Sequence, residues 1–317
     1  MNCQSPFLSL YLYQNVFEIM ALIIRETINI HDDRLTSGLI PVFRIMEQVA
    51  NSDEESIEMD CSSIRFCTPV FVMSTLLFLR TSQKQYSLSN LTDYLRTVKF
   101  DNALRSDDIG LDQFGHVLEQ YGTKTYIPLI SFPAQAGIEN SKDAVISALE
   151  GLMCRQVNIP HNISMGLKYM LSEMVDNIAG HSESERGYIF AQAYPKKRFL
   201  DICIADEGIT LKGSYQRAGI EIEDDLEAMR AANKCVSSKN RPDAENRGYG
   251  IMTTKKMLSD GLNGQYMMLS GNAILLKSRN IEQIIEVPEG VRWNGTIIAI
   301  RIPYHEQNEF CYWNYLE

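Results

Sequence analysis

The chain has 317 residues, of which 45% are hydrophobic and 22% charged, with 19 Gly and 10 Pro. That balance excludes disordered, collagen-like and disulfide-scaffold proteins, and the length suits two domains. The formal net charge of -10 argues against a protein that coats nucleic acid, which needs a Lys/Arg-rich face, but not against a local phosphate pocket built from backbone N–H groups, a helix end and a metal ion.

Residues 1–19 are apolar and aromatic but lack the basic start and clean apolar core of a signal peptide, so a weakly anchored extension is expected. A β segment is predicted over 20–30. Residues 35–50 carry Leu39, Val42, Phe43, Ile45, Met46 and Val49 at helical spacing. A strand over 56–66 follows. Thr68-Pro69 then opens an apolar helix to Leu79, because Pro suits a first helical turn. A strand over 85–90, a helix over 91–104 and a strand over 125–132 complete an α/β pattern. The polar stretch 133–142 (PAQAGIENSK) marks the expected boundary, giving domains 1–135 and 136–317. The second half reads as helices over 143–157 and 162–180, then strands over 187–193 and 199–205. A long polar segment follows, holding a helix over 224–233. A Gly-rich turn opens a helix over 247–258, and strands over 266–270, 273–277 and 295–302 finish it. This predicts an α+β fold, with helices on one face of a mixed, mostly antiparallel sheet.

The seven cysteines (Cys3, Cys61, Cys67, Cys154, Cys203, Cys235, Cys311) are odd in number and widely spaced, with no C-x-x-C. They read as reduced, mostly buried thiols of a cytoplasmic protein rather than disulfides or a zinc site. The longest apolar run, 69–79, is too short for a bilayer span of about 20 residues, so no membrane association is expected.

Four pieces of the second half carry possible chemistry. Glu173 and Asn177 are four apart on one helix and share a face. The amide oxygen could ligate Mg²⁺ and the carboxylate could orient or deprotonate a water. By itself the pair reads first as a solvated helix face. Asp206-Glu207-Gly208 follows an apolar strand, where an acid can accept from an exocyclic amine and the Gly permits close approach; on its own it is a common turn. Arg247-Gly248-Tyr249-Gly250 opens a helix, so successive N–H groups could converge on phosphates. Gly295-Thr296 opens the last strand, where a hydroxyl could reach the same ligand.

In this order the pieces resemble the Bergerat ATP-binding fold of the GHKL superfamily (gyrase, heat-shock chaperone, histidine kinase, mismatch repair), over about residues 140–304. The text SEMVDNIAGHS is similar to the N-box of anti-sigma-factor and histidine kinases. The resemblance implies ATP and Mg²⁺ as cofactors. It implies Glu173 as general base, Asn177 as Mg²⁺ ligand, Asp206 at adenine, Gly208 lining the base pocket, and Thr296 supporting it. Gly248, Tyr249 and Gly250 would hold the phosphates, and 209–247 would be the ATP lid, with Lys239, Arg241 or Arg247 near the γ-phosphate. Asp176 would support the Glu/Asn pair. His181 would be a phospho-acceptor only in a histidine kinase, and the upstream helix that carries that residue is not evident. The family often has D-x-G-x-G, whereas Thr210 occupies the second glycine position.

The first half resembles, more faintly, a STAS domain through EMDCSSIRFCTPVFVMSTLLFL, where Cys67-Thr68-Pro69 replaces a turn that often carries a phosphorylatable Ser. The implied function is a Mg²⁺-dependent ATPase that acts as a nucleotide-gated switch. The alternatives are a serine/threonine kinase of the anti-sigma type acting on a STAS-like partner, and a non-enzymatic ATP-binding scaffold. A protein partner or a homodimer is expected, and nucleic acid is not the expected main partner.

Overall fold

The computed structural model describes residues 21–24, 34–105, 120–121, 123–134, 138–152, 159–181, 183–234, 249–287, 290–304 and 310–316. The N-terminal part is a β-α-β-α-β unit. Strands β1 (Ala21–Ile24), β2 (Ser56–Asp60) and β3 (Gln85–Ser89) pair in parallel in that order. Helix α1 (Leu39–Ala50), entered through a 3-10 turn at Leu35–Gly38, links β1 to β2, and α2 (Pro69–Thr81) links β2 to β3. Thr68 caps α2: its hydroxyl oxygen accepts the Phe71 N–H at 3.3 Å, and Pro69 takes the first helical position. Ten of the thirteen residues of α2 are buried, as befits a helix that is apolar all round and packed on several sides. The single helix expected over 91–104 is two, α3 (Asp93–Thr97) and α4 (Phe100–Arg105). Between them Lys99 takes φ 61°, a left-handed conformation that no helix continues through.

The remaining strands form a seven-stranded sheet. They are β4 (Tyr126–Pro133), β5 (Arg186–Tyr194), β6 (Phe199–Asp206), β7 (Gln265–Gly271), β8 (Ala273–Ser278), β9 (Ile281–Glu286) and β10 (Trp293–Pro303), in the order β4-β5-β6-β10-β7-β8-β9. Every pairing is antiparallel, so this sheet is not the mixed one expected. The sheet thus begins at Tyr126, ahead of the expected boundary at 133–142. Helices α5 (Ile138–Leu152), α6 (His161–His181), α7 (Leu211–Arg217), α8 (Asp225–Asn233) and α9 (Tyr249–Lys256) follow in the chain, and α9 runs into a π-helical turn at Met257–Gly261.

Side chains alternate across a strand, and the two faces of this sheet meet different layers. On β6, Leu200, Ile202 and Ile204 pack with Leu167, Met174, Ile178 and Met229 of the C-terminal helices. Cys203 and Ala205 pack with Val70, Phe71 and Leu76 of the N-terminal unit. The N-terminal elements therefore cover the face that the later helices leave open. Trp293 marks the seam: it is fully buried, its Nε1 donates to the Ser74 carbonyl at 3.0 Å, and its ring lies 6.0 Å from that of Phe43.

Part of the expected lid is also packed structure. Residues 211–217 and 225–233 are helical, and Ala228 and Met229 of α8 are fully buried; residues 235–248 lie outside the described ones. Cys61, Cys67 and Cys203 are buried free thiols, while Cys311 is exposed. Among the described residues, no helix is long and apolar enough to cross a membrane.

Candidate functional site

The end of the sheet where β6 closes and β10 opens carries a polar row. Thr296 on β10 is in register with Asp206 on β6 and with Ser270 on β7. By alternation all three share the face of Ile204, Ile298 and Met268, the helix-covered face. Asp206 is 3% exposed. Its Oδ1 accepts the Gly208 N–H at 2.9 Å, and the Thr296 backbone N–H also donates to its carboxylate. Burial pushes the Asp206 carboxyl up to about 7; the two N–H bonds oppose that rise and the neighbouring Glu207 charge adds to it. Gly295 sits at φ 75°, and a Cβ there would come within 2.9 Å of Asp206 Oδ1. The severest overlap would be with the Asp206 carbonyl oxygen, so only glycine lets β10 approach the end of β6 so closely.

Ser270 completes the row. Its hydroxyl donates to the Gly295 carbonyl at 3.0 Å, accepts the Leu211 N–H at 2.9 Å, and lies 3.2 Å from Thr296 Oγ1. Sequence reasoning missed Ser270, and the one signal for it was a lone serine closing an apolar strand. Thr210, the departure from the D-x-G-x-G pattern, has a local reason. It caps α7, accepting the Gly213 N–H at 3.3 Å.

The second group forms where α9 meets α6. Tyr169, Glu173 and Asn177 succeed one another at four-residue intervals along α6, and Glu173 and Asn177 are half-buried. The Tyr169 hydroxyl donates to Glu173 and accepts from Thr253 of α9. A Cβ on Gly250 would overlap Glu173 Oε2 and stand 2.9 Å from its carboxyl carbon. The first turn of α9 therefore rests against the Glu173 carboxylate, so the E-x-x-x-N helix and the glycine turn meet in space. Tyr169 and Thr253 are further residues that the sequence did not single out; Tyr169 lies one turn before Glu173 on the same face.

The structure brings together Asp206, Gly208 and Thr296 at one place, and Glu173 and Gly250 at another. Asn177 shares the α6 face with Glu173, and Tyr249 begins α9. Gly248, Lys239, Arg241 and Arg247 lie outside the described residues. Asp176 is half-buried on α6, and His181 ends that helix. Among the described residues, no group of three or more His, Cys, Asp or Glu could hold a metal ion. A protein-only metal cage is thus absent there. No protein-family model matches the chain, and no curated protein is similar to it in sequence.

Proposed function

We propose that this chain binds ATP with Mg²⁺ and hydrolyses it, at a site of the Bergerat type over residues 136–317, preceded by an α/β unit of STAS-like character. Asp206 carries the proposal. A buried carboxylate is costly unless it is paired. Asp206 is 3% exposed, its partners are two backbone N–H groups, and its charged neighbour Glu207 has the same sign. An adenine exocyclic amine would supply the missing donor, with Gly208 and Thr296 shaping the surrounding wall. Glu173, oriented by the Tyr169 hydroxyl, is the group to accept a proton from the attacking water. Gly248, Tyr249 and Gly250 at the start of α9 would hold the phosphates, and Asn177 would hold Mg²⁺. When bound, Mg²⁺ supplies charge neutralisation at the phosphoryl group.

Glu173→Gln tests the assignment. The variant is expected to bind a non-hydrolysable ATP analogue in calorimetry as the wild type does, while phosphate release falls by a factor of about 10²–10⁴. Unchanged turnover removes Glu173 as the base, and a wild-type chain that binds no nucleotide overturns the proposal. Following the γ-phosphate label separates hydrolysis from transfer to a protein partner. Gating of a partner or a second copy by ATP would follow from the same site.

A further inference from the structure

Arg80, in the last turn of α2, reaches from the N-terminal layer to the turn that follows β6. Its Nε and Nη2 donate to Glu207 Oε2 and Oε1 at 2.6 and 3.0 Å, a two-pronged pairing that fixes geometry as well as charge. Its Nη1 donates to the carbonyls of Ala103 and Leu104 at 3.2 and 3.1 Å, in the last turn of α4. The guanidinium also lies 5.5 Å from the Tyr188 ring centroid on β5. The side chains of Arg80 and Glu207 are 12% and 21% exposed, so water competes little for them. Glu207 is the middle residue of Asp206-Glu207-Gly208, the turn across which the Gly208 N–H donates to the Asp206 carboxylate.

Resting on the ATP reading, we infer that Arg80 is a positioning residue for the base-binding end of the site, through which the N-terminal layer fixes the Asp206-Glu207-Gly208 turn. Arg80 itself touches no ligand. Asp206 closes β6 on the helix-covered face, whereas Glu207, the first residue past the strand, is held by Arg80 from the N-terminal layer on the other. A clamp on Glu207 from one face therefore sets the peptide planes that aim Asp206 and the Gly208 N–H at the other. If Arg80 is removed, a partly buried carboxylate loses its cation. Glu207 then turns toward water and carries the flanking peptides with it. A displacement of α2 or α4 would reach the base pocket by the same route.

Arg80→Gln and the nearly isosteric Glu207→Gln test this in the full chain, by calorimetry with an ATP analogue, ADP and adenosine. Each variant is expected to weaken all three ligands by a similar factor of about tenfold, the scale of one charged hydrogen-bonded pair. The double variant is expected to lose little more than either single one, and Arg80→Lys to recover only part. Adenosine affinity unchanged in folded Arg80→Gln overturns the inference, as does a loss confined to ATP, which would place the effect at the phosphates. Amide exchange gives an arm that needs no ligand: the Gly208 N–H is expected to exchange faster in both variants. If the wild type binds no nucleotide, the ATP reading fails, and unchanged exchange at Gly208 separately overturns the positioning role.

Discussion

The Asp206 carboxyl, pushed up by burial to about 7 from an ordinary value of 3.8, holds its proton in the folded chain over a pH range where the unfolded chain has released it. Stability should therefore be fully present below about pH 4 and fall as pH rises to about 7, by up to about 4 kcal/mol. Asp206→Asn removes this term, and the variant is expected to exceed the wild type in urea midpoint at pH 8 but not at pH 4. On the ATP reading, nucleotide affinity should run the other way, since an amine needs the ionised acceptor. Analogue binding should tighten by about tenfold from pH 6 to pH 8, and a flat profile in calorimetry would remove Asp206 from the adenine contact. At Gly250, a methyl group meets the Glu173 carboxylate. Gly250→Ala should accordingly leave adenosine binding intact and cut turnover about tenfold or more, because small misplacements of a reacting group are costly. At each end of the site the sequence revealed part and hid part. Asp206, Gly208, Thr296, Glu173 and Gly250 stood out by motif, whereas Ser270 and Tyr169 enter through strand register and helix packing, which no local pattern records.

Among the elements, α2 shows how a cap and a composition fix a helix. Thr68 supplies an acceptor for an otherwise unpaired N–H, and Thr68→Ala should cost about 1–2 kcal/mol, read as a lower urea midpoint at constant slope. Thr68 as a whole is 2% exposed, so a kinase acting on the folded chain has no access to its hydroxyl. Helical periodicity made α1 and α6 legible within a few residues, and apolar runs did the same for α2, β5 and β6. Three elements escaped for separate reasons. The 91–104 pattern hid the left-handed Lys99 that divides α3 from α4. Helix α7 is short and contains Gly213, so its signal was the Thr210 cap alone. Strand β9 is an edge strand rich in charge, and its place is set across the sheet. Lys277 is in register with Glu282 and bonds it at 3.2 Å, and the nearly buried Lys255 of α9 bonds Glu282 at 3.3 Å. Hydrogen bonds from Asn233 and both lysines outweigh the upward pull of burial and hold the Glu282 carboxyl at about 2.

For the molecule as a whole, the N-terminal layer, the seven-stranded sheet and the helix layer share walls. Removing residues 1–119 would uncover Tyr188, Phe190, Met267, Leu269 and Ile297, all now buried against that layer. A contiguous apolar face of this kind promotes aggregation. The 120–317 fragment is expected to be insoluble or self-associated in gel filtration, while the full chain is expected to unfold in one transition seen alike by circular dichroism and by tryptophan fluorescence, to which the buried Trp293 and the exposed Trp313 both contribute. A soluble, monomeric fragment would show that the sheet does not need its cover. That cover also limits assembly. Over β5, β6, β10 and β7 the sheet is already sandwiched, so a second copy of this chain cannot stack sheet against sheet there. Among the described elements, that leaves the rim strands, the helices and the outer side of the N-terminal layer for a dimer, and on the ATP reading subunits joined there would feel nucleotide only through the elements that separate them from Asp206 and Glu173.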